Sequence, residues 1–444
     1  MPPHSSLFPR SFHKDYPGAV GGEGCWIWTA NGRKYLDAAG QAAVVTIGHG
    51  VESVGKAMAE QAGRLAFAHT SQFHTSLAEE LAERLLALAP KGMQSGRVYF
   101  TSGGSEATET AIKLARQFYL ERGDPGRFRV ISRKQSYHGS TLGAMAVSGN
   151  VARRAPYQPL LPEWGHLAPC FCARCELNLT FPACELACAN QLETLLSGPD
   201  GKSVAAFIFE PIVGATLGAA VPPEGYVQRI AEICRRYGIL LIADEVMTGM
   251  GRTGKKFGVD HWNVEPDIIT LGKGVASGYA PLGAVIVGPR VAEAFAQGSG
   301  AFQHGFTYQA HPVSMAAGNA VLDVLEEKKL FARVAEAGRE LFTALEPLRS
   351  HPHVDDVRGM GLLAGVEFVK DKASRAPFPR EENVCEKVRQ AAMEQGALTY
   401  PTQGCVDGHQ GDHILLAPPF VISREECTLI GRALAAALKN VFGC

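Results

Sequence analysis

Two short apolar runs deliver the groups best able to do chemistry. Leu240-Leu241-Ile242-Ala243 ends on Asp244, and Asp267-Ile268-Ile269-Thr270-Leu271 leads through Gly272 to Lys273 and Gly274. Runs of this length and composition read as buried strands, which puts both groups at strand ends. A carboxylate can keep a pyridine nitrogen protonated, and an amine can form an imine. Those are the two functions that pyridoxal phosphate chemistry needs most. Strands often end in Asp and loops often contain Lys, so the pair alone establishes nothing.

Other positions add to it. Thr101-Ser102-Gly103-Gly104-Ser105-Glu106 is a glycine-rich turn opening a helix, where free amides and the helix dipole favour a phosphate. Taken alone it is more simply a Ser-capped helix that needs no ligand. It is not a Walker loop, because no Gly-Lys-Ser/Thr follows. Ser136-Tyr137-His138-Gly139 puts an aromatic after a strand, able to cover one face of a flat ring while Val246 covers the other. Glu210 ends a further strand, and Thr307 sits in the loop Gly305-Phe306-Thr307-Tyr308 with a hydroxyl that can donate to a phosphate. Each has a plain reading as well: a packed aromatic, a solvated strand end, a turn.

The elements that must position these groups alternate. Val98–Phe100, Phe128–Ile131, Ala205–Phe209 and Ile239–Ala243 read as strands. One helix follows the glycine turn with Ala107, Ala111, Leu114, Ala115 and Phe118 on one face. Another, Tyr226–Tyr237, turns Val227, Ile230, Ala231 and Cys234 inward. This is an α/β pattern of βαβ units, predicting a mainly parallel sheet covered on both faces, with ligands bound beyond the carboxyl ends of its strands. From Val321 the texture changes to charged helices, Val321–Val334 and Ala337–Leu348, with strands at Val366–Phe368 and Ile414–Leu416 and a closing helix Arg424–Val441. Ile27-Trp28 and Tyr35-Leu36 flank an Asn31-Gly32 turn and predict a hairpin that packs with this part. The expected organisation is an amino-terminal segment, 1–55, packing with the small domain, a large domain, 56–324, and a small α+β domain, 325–444.

A net charge of −1 gives no electrostatic reason to expect nucleic acid or an anionic membrane as partner. Residues Met1–Tyr16 carry Arg10 and Lys14 and no apolar core segment, so no secretory signal is read there and a cytoplasmic location is expected. Of 11 cysteines, five cluster as Cys170, Cys172, Cys175, Cys184 and Cys188. Cys172-x-x-Cys175 has metal-ligand spacing, and Cys184 or Cys188 could complete a tetrahedron. No second CxxC follows, so reduced, packed thiols are the favoured reading and no metal is expected at the site.

Together the motifs resemble the class III (ω-) aminotransferases of the fold-type I pyridoxal phosphate enzymes along nearly the whole chain. The resemblance rests on Gly48-His49-Gly50, Ser102 to Ala107, Tyr137-His138-Gly139, Glu210-Pro211-Ile212, Asp244 to Gly254, Gly272-Lys273-Gly274, Arg358 to Leu362 and Ala417 to Phe420. It implies that Lys273 holds the cofactor as an internal aldimine and then shuttles the substrate proton, and that Asp244 keeps the ring nitrogen protonated. Gly104 and Ser105 would bind the phosphate, Tyr137 and Val246 would sandwich the ring, and His138 and Glu210 would lie beside it. Thr307 would reach the phosphate of a neighbouring subunit in a homodimer with shared active sites, with a tetramer left open.

The chain departs from the family where substrate is chosen. Ornithine aminotransferases carry an arginine two residues before the Ala-Pro-Pro motif and a glutamate after the Glu-Pro strand end; here those positions are Leu415 and Ala215. Losing both members of an ion pair is coherent, since losing one strands a charge. The mobile arginine of amine-type transaminases aligns with Gly408, inside the segment Tyr400–His413. The expected activity is amino transfer from an amine or ω-amino acid to a 2-oxo acid such as pyruvate. Arg153, Arg154 and His409 are the candidates for carboxylate recognition. The alternatives are a lyase, decarboxylase or epimerase with the same cofactor, and a non-catalytic redox- or metal-responsive protein on the same scaffold.

Overall fold

A computed structural model of the chain describes residues 6–443. Met1–Ser5, part of the segment read for an export signal, and Cys444 lie outside the described residues. Seven strands form the central sheet. Across it they run Arg97–Thr101, Gly283–Val287, Ile268–Leu271, Leu240–Asp244, Val204–Phe209, Arg129–Arg133 and His166–Leu167. All neighbours are parallel except Gly283–Val287, which runs against both of its partners.

Every residue of Val204–Phe209 and Leu240–Asp244 is buried, as expected of strands covered on both faces. Alternation sorts their side chains. Ile208, Leu240 and Ile242 pack with Ala107, Ala111 and Phe118 of the helix Gly104–Glu121, while Phe207, Leu241 and Ala243 face Ile230 and Cys234 of the helix Tyr226–Tyr237. Asp244 continues the Leu240–Ile242 face, toward the glycine turn that opens the first helix. Glu245 takes the opposite face. It accepts from the Gly258 and Val259 amides at 2.8 Å each and from the Thr248 hydroxyl, which ties down the loop after the strand. Burial pushes the Glu245 carboxyl up to about 7.

Two four-stranded sheets flank the central one. The first joins Ala19–Glu23, Trp26–Thr29 and Lys34–Asp37 to Ala397–Leu398, with Leu36 paired to Ala397. The amino-terminal hairpin thus shares a sheet with a strand near the far end of the chain. The second is antiparallel throughout, in the order Val354–Met360, Leu363–Phe368, Asp412–Leu416, Tyr400–Gln403. The segment Tyr400–His413, read as a replacement loop, is mostly hairpin, with Tyr400 opposite Leu415 and Gln403 opposite Asp412.

The charged helices differ from expectation. They run Pro312–Glu327 and Leu330–Leu345, so the first break falls inside the expected Val321–Val334 helix. Lys329 takes a left-handed conformation there (φ +51°). No Gly or Pro marks the break, and buried Leu325 and Leu330 carry the apolar pattern across it.

Candidate active site

At the carboxyl ends of the parallel strands lies a cavity of about 170 Å³ lined by Gly104, Ser105, Tyr137, Glu210, Asp244 and Lys273, among others. Strand ends converge there because each helix returns the chain to the opposite edge of the sheet. Asp244 is buried, and both of its oxygens are engaged. Oδ2 lies 2.7 Å from His138 Nδ1, and Oδ1 accepts the Val246 amide at 3.0 Å. His138 is held in turn by its own backbone. Its amide donates to Ser148 Oγ and its carbonyl accepts from Thr108 Oγ1, both at 2.8 Å. The ring's Nε2 is buried without a hydrogen-bond partner among the described residues.

Glu210 accepts the Tyr137 amide at 3.3 Å and the Gly214 amide at 3.4 Å. Burial pushes its carboxyl up to about 7, with His138 opposing that rise and Asp244 adding to it. Below it, fully buried Arg133 donates to the Glu210 carbonyl at 2.6 Å and to Cys170 Sγ at 2.8 Å.

Lys273 is half-buried in the cavity wall and sits in the left-handed region (φ +44°), a conformation that costs a side-chain-bearing residue free energy and gathers at functional sites. Burial brings its ammonium down to about 8; Asp244 and Glu210 oppose this, while Arg252 and Arg153 reinforce it. A substantial fraction of neutral amine therefore exists near neutral pH.

The glycine turn is a cradle without a lid. No side chain caps the start of the helix Gly104–Glu121, so the predicted serine cap is absent; the Glu106 carboxylate instead accepts the Ser102 amide at 2.8 Å. Amides of the first helical turn have no partners within the helix and face the cavity. A Cβ on Gly104 would meet Val246 Cγ1 at 2.9 Å, so only glycine lets the turn lie against that valine. Ser105 Oγ accepts the Ser140 amide at 3.0 Å and keeps its own proton to donate. An amide cradle, two flat-ring walls in Tyr137 and Val246, a buried carboxylate and a half-buried amine form a donor set that fits pyridoxal phosphate. The unpartnered His138 Nε2 adds a polar atom still to be satisfied near it.

Of the predicted site residues, Gly104, Ser105, Tyr137, His138, Glu210, Asp244, Val246 and Lys273 border this one cavity. Thr307 does not. It is exposed on its loop, next to Tyr308, which is 62% exposed and packs edge-on against Phe67 at 5.9 Å. Ile212 and Met247 also line the cavity and were not predicted as site residues, although both lie within motifs that carried the resemblance. The His138–Asp244 contact was missed as well.

Arg252 anchors the loop that follows Asp244. It is fully buried and donates to the carbonyls of Leu362 (3.1 Å), Pro418 (2.6 Å) and Val45 (3.1 Å), while its guanidinium lies 4.7 Å from the Phe420 ring centre. Burial lowers its pKa to about 9, with Asp37 opposing. The amino-terminal Gly48 motif is tied to the lysine loop too. Tyr279 Oη donates to the Gly48 carbonyl at 3.1 Å, and Ser277 Oγ accepts the Thr46 amide at 2.8 Å.

Ile212 joins the cavity to an apolar wall beside its floor, in which Leu415 (1% exposed) packs with Ala43, Ile212 and Leu363; Ala215 (9%) is buried as well. His413 Nε2 lies 2.8 Å from the Ala215 carbonyl, and burial drives its pKa down to about 3, so the ring is neutral and donates this bond. Among the described residues, no group of three or more His, Cys, Asp or Glu is placed to hold a metal ion, and the described cysteines are free thiols. No helix among them is long and apolar enough to cross a membrane.

The family model described as "Aminotransferase class-III" matches residues 17–438. An uncharacterized aminotransferase of Schizosaccharomyces pombe is 38% identical over 98% of this chain and 95% of its own length. Among solved structures, an (S)-enantioselective ω-transaminase from Thermomicrobium roseum superposes with a TM-score of 0.91 at 38% identity, covering 99% of this chain and 97% of the other. An amine transaminase from an uncultivated Pseudomonas species, in its PLP-bound internal aldimine form, does so at 0.91 and 36% identity, covering 99% and 98%. The chain belongs to the class III aminotransferases, pyridoxal phosphate-dependent enzymes of the fold-type I architecture.

Proposed function

We propose that the protein is an ω-transaminase that moves an amino group from an amine or ω-amino acid to a 2-oxo acid such as pyruvate. The observation that carries this reading is the apolar wall. Leu415, packed on the cavity residue Ile212, and Ala215 are both buried and uncharged at the two positions where an α-carboxylate-binding relative would carry its arginine and glutamate.

Pyridoxal phosphate, when bound, supplies a ring that takes up the electron pair left at the substrate carbon. The chain's own residues do the rest. Lys273 Nζ, partly neutral near pH 7, is the group that would hold the cofactor covalently and would accept and return the substrate's Cα proton. Asp244, pinned by His138, would keep a carboxylate against the ring nitrogen and so hold its proton. Gly104 and Ser105 would donate to the phosphate, Tyr137 and Val246 would cover the ring faces, and Glu210 would lie beside the ring. Thr307 serves the phosphate of a second copy in a homodimer. Its exposure, beside exposed Tyr308 (62%), supports that role.

Amino transfer to pyruvate from a panel of amines and ω-amino acids tests the reading. Stoichiometric alanine is expected. Strong preference for ornithine or acetylornithine, or release of ammonia or carbon dioxide in place of alanine, sinks it.

A further inference from the structure

A transaminase that accepts a 2-oxo acid needs a cation for the acceptor's carboxylate. At the two positions where the family resemblance leads one to look, this chain has Leu415, buried in an apolar cluster, and Gly408, with no side chain. Gly408 takes φ +87°, and a Cβ there would meet Val151 Cγ2 at 2.9 Å. The tip of the hairpin is therefore seated on the short helix Val151–Arg154. A second contact, from Gln135 Nε2 to the Gly404 carbonyl at 3.1 Å, fastens the same tip. The segment that lacks the arginine rests on a turn that carries two.

The three candidate cations are not equivalent. Arg154 is turned inward and already engaged: Nη1 donates to the Ser148 carbonyl at 2.8 Å and lies 2.7 Å from His166 Nε2. His409 is exposed at the hairpin tip, where its amide donates to Asp407 Oδ1 at 2.8 Å. Neither His409 nor Arg153 lines the cavity itself, and among the described residues His409 makes no hydrogen bond to a residue that does. Arg153 differs from both. Its guanidinium lies 4.5 Å from the centre of the Tyr137 ring, which is itself a wall of the cavity. Its Nη2 donates to Tyr400 Oη at 3.4 Å, and among the described residues no carboxylate pairs with it. Its backbone, by contrast, is fixed, since the Arg153 amide donates to Asn150 Oδ1 at 2.9 Å. Arg153 also acts electrostatically on Lys273, though less than burial, Asp244, Glu210 or Arg252.

We infer that Arg153 binds the carboxylate of the 2-oxo acid acceptor, held over the cavity mouth by the Tyr137 ring and the Tyr400 hydroxyl. Stacking on an aromatic face restricts the guanidinium while leaving its edge N–H groups free for a bidentate contact. Because the side chain is otherwise exposed, it can swing into solvent when an amine without a carboxylate occupies the same space. Recognition of the carboxylate has thus moved from the carboxyl-terminal hairpin to the turn on which that hairpin sits. The assignment rests on the transaminase reading above.

The test uses holoenzyme with 1-phenylethylamine as donor and either pyruvate or uncharged butanal as acceptor. In Arg153→Gln the ratio of kcat/KM for pyruvate to that for butanal falls about 100-fold, through KM for pyruvate. Arg153→Lys recovers part of it, because an ammonium keeps the charge and loses the fork. Calorimetry of propionate binding to holo Arg153→Gln shows a dissociation constant raised by about tenfold or more. His409→Gln keeps the wild-type ratio. The assignment is overturned if the ratio in Arg153→Gln stays within about threefold of wild type, if pyruvate and butanal fall together, or if His409→Gln moves the ratio instead. Wild-type enzyme that makes no alanine from pyruvate at all fails the transaminase reading itself and takes this assignment with it.

Discussion

On the floor of the cavity, charged groups stand at the ends of strands with their partners in place: Asp244 on His138 and the Val246 amide, Glu210 on two further amides. On the apolar wall beside it, Leu415 and Ile212 pack against one another, and buried Ala215 adds no charge. Strand ends are fixed by the ladder on either side, so a floor residue can hold an atom in place. The wall comes from a hairpin and a loop that are free to vary in sequence so long as they stay apolar. One molecule thus separates chemistry from substrate choice by building them from different kinds of backbone.

Lys273→Ala is expected to break the floor most severely, lowering kcat roughly 10⁴- to 10⁶-fold, as loss of a central catalytic group does. Its stability signature has the opposite sign. A lysine whose folded pKa of about 8 lies below its ordinary 10.5 destabilises the fold increasingly as pH falls between those values and fully below about 8, so cofactor-free Lys273→Ala should resist urea at pH 7 at least as well as wild type. A lower midpoint would mean that the lysine is a structural strut.

Asp244→Asn comes next, with a loss of about 10²- to 10⁴-fold in single-turnover rate, because an amide cannot hold a proton on the ring nitrogen by charge. Unchanged turnover would remove Asp244 from the floor's chemistry.

The wall should fail differently. Leu415→Arg buries an unpaired charge and should cost about 3–5 kcal/mol in chemical denaturation, whereas adding Ala215→Glu should return at least about 1 kcal/mol through coupling of the pair. If the single variant is as stable as wild type, the wall is wetter than its packing shows.

The gentlest probe is pH. The rate of the amine half-reaction should rise about tenfold per unit below pH 8 and level off above it, as the Lys273 amine loses its proton. A limb centred nearer 7 would assign the titration to Glu210, which burial raises to about that value.

The two regions also differed in how legible they were. Asp244, Lys273 and Glu210 could be read because an apolar run ending in a polar group marks a strand and its end at once. The His138–Asp244 contact could not, since 106 residues separate the pair and no local pattern links them. The wall was legible only as missing arginines. That Tyr400 would pair across from Leu415, turning an apparent loop into a hairpin, depended on a sheet whose other strands lie elsewhere in the chain. The helix break at Lys329 was invisible for a different reason: a lysine can take a left-handed φ without leaving any sign in the residue type.

Arg252 has a consequence in time. The carbonyls that satisfy its guanidinium come from residues 45, 362 and 418, so a chain leaving the ribosome can bury this charge only after Pro418 has been made. Until then the loop after Asp244 is tied down by Glu245 but lacks its second anchor, although both strands that carry the chemistry were synthesised long before. The full set of bonds that holds the loop beside the cofactor grip is therefore completed only near the end of the chain's own synthesis.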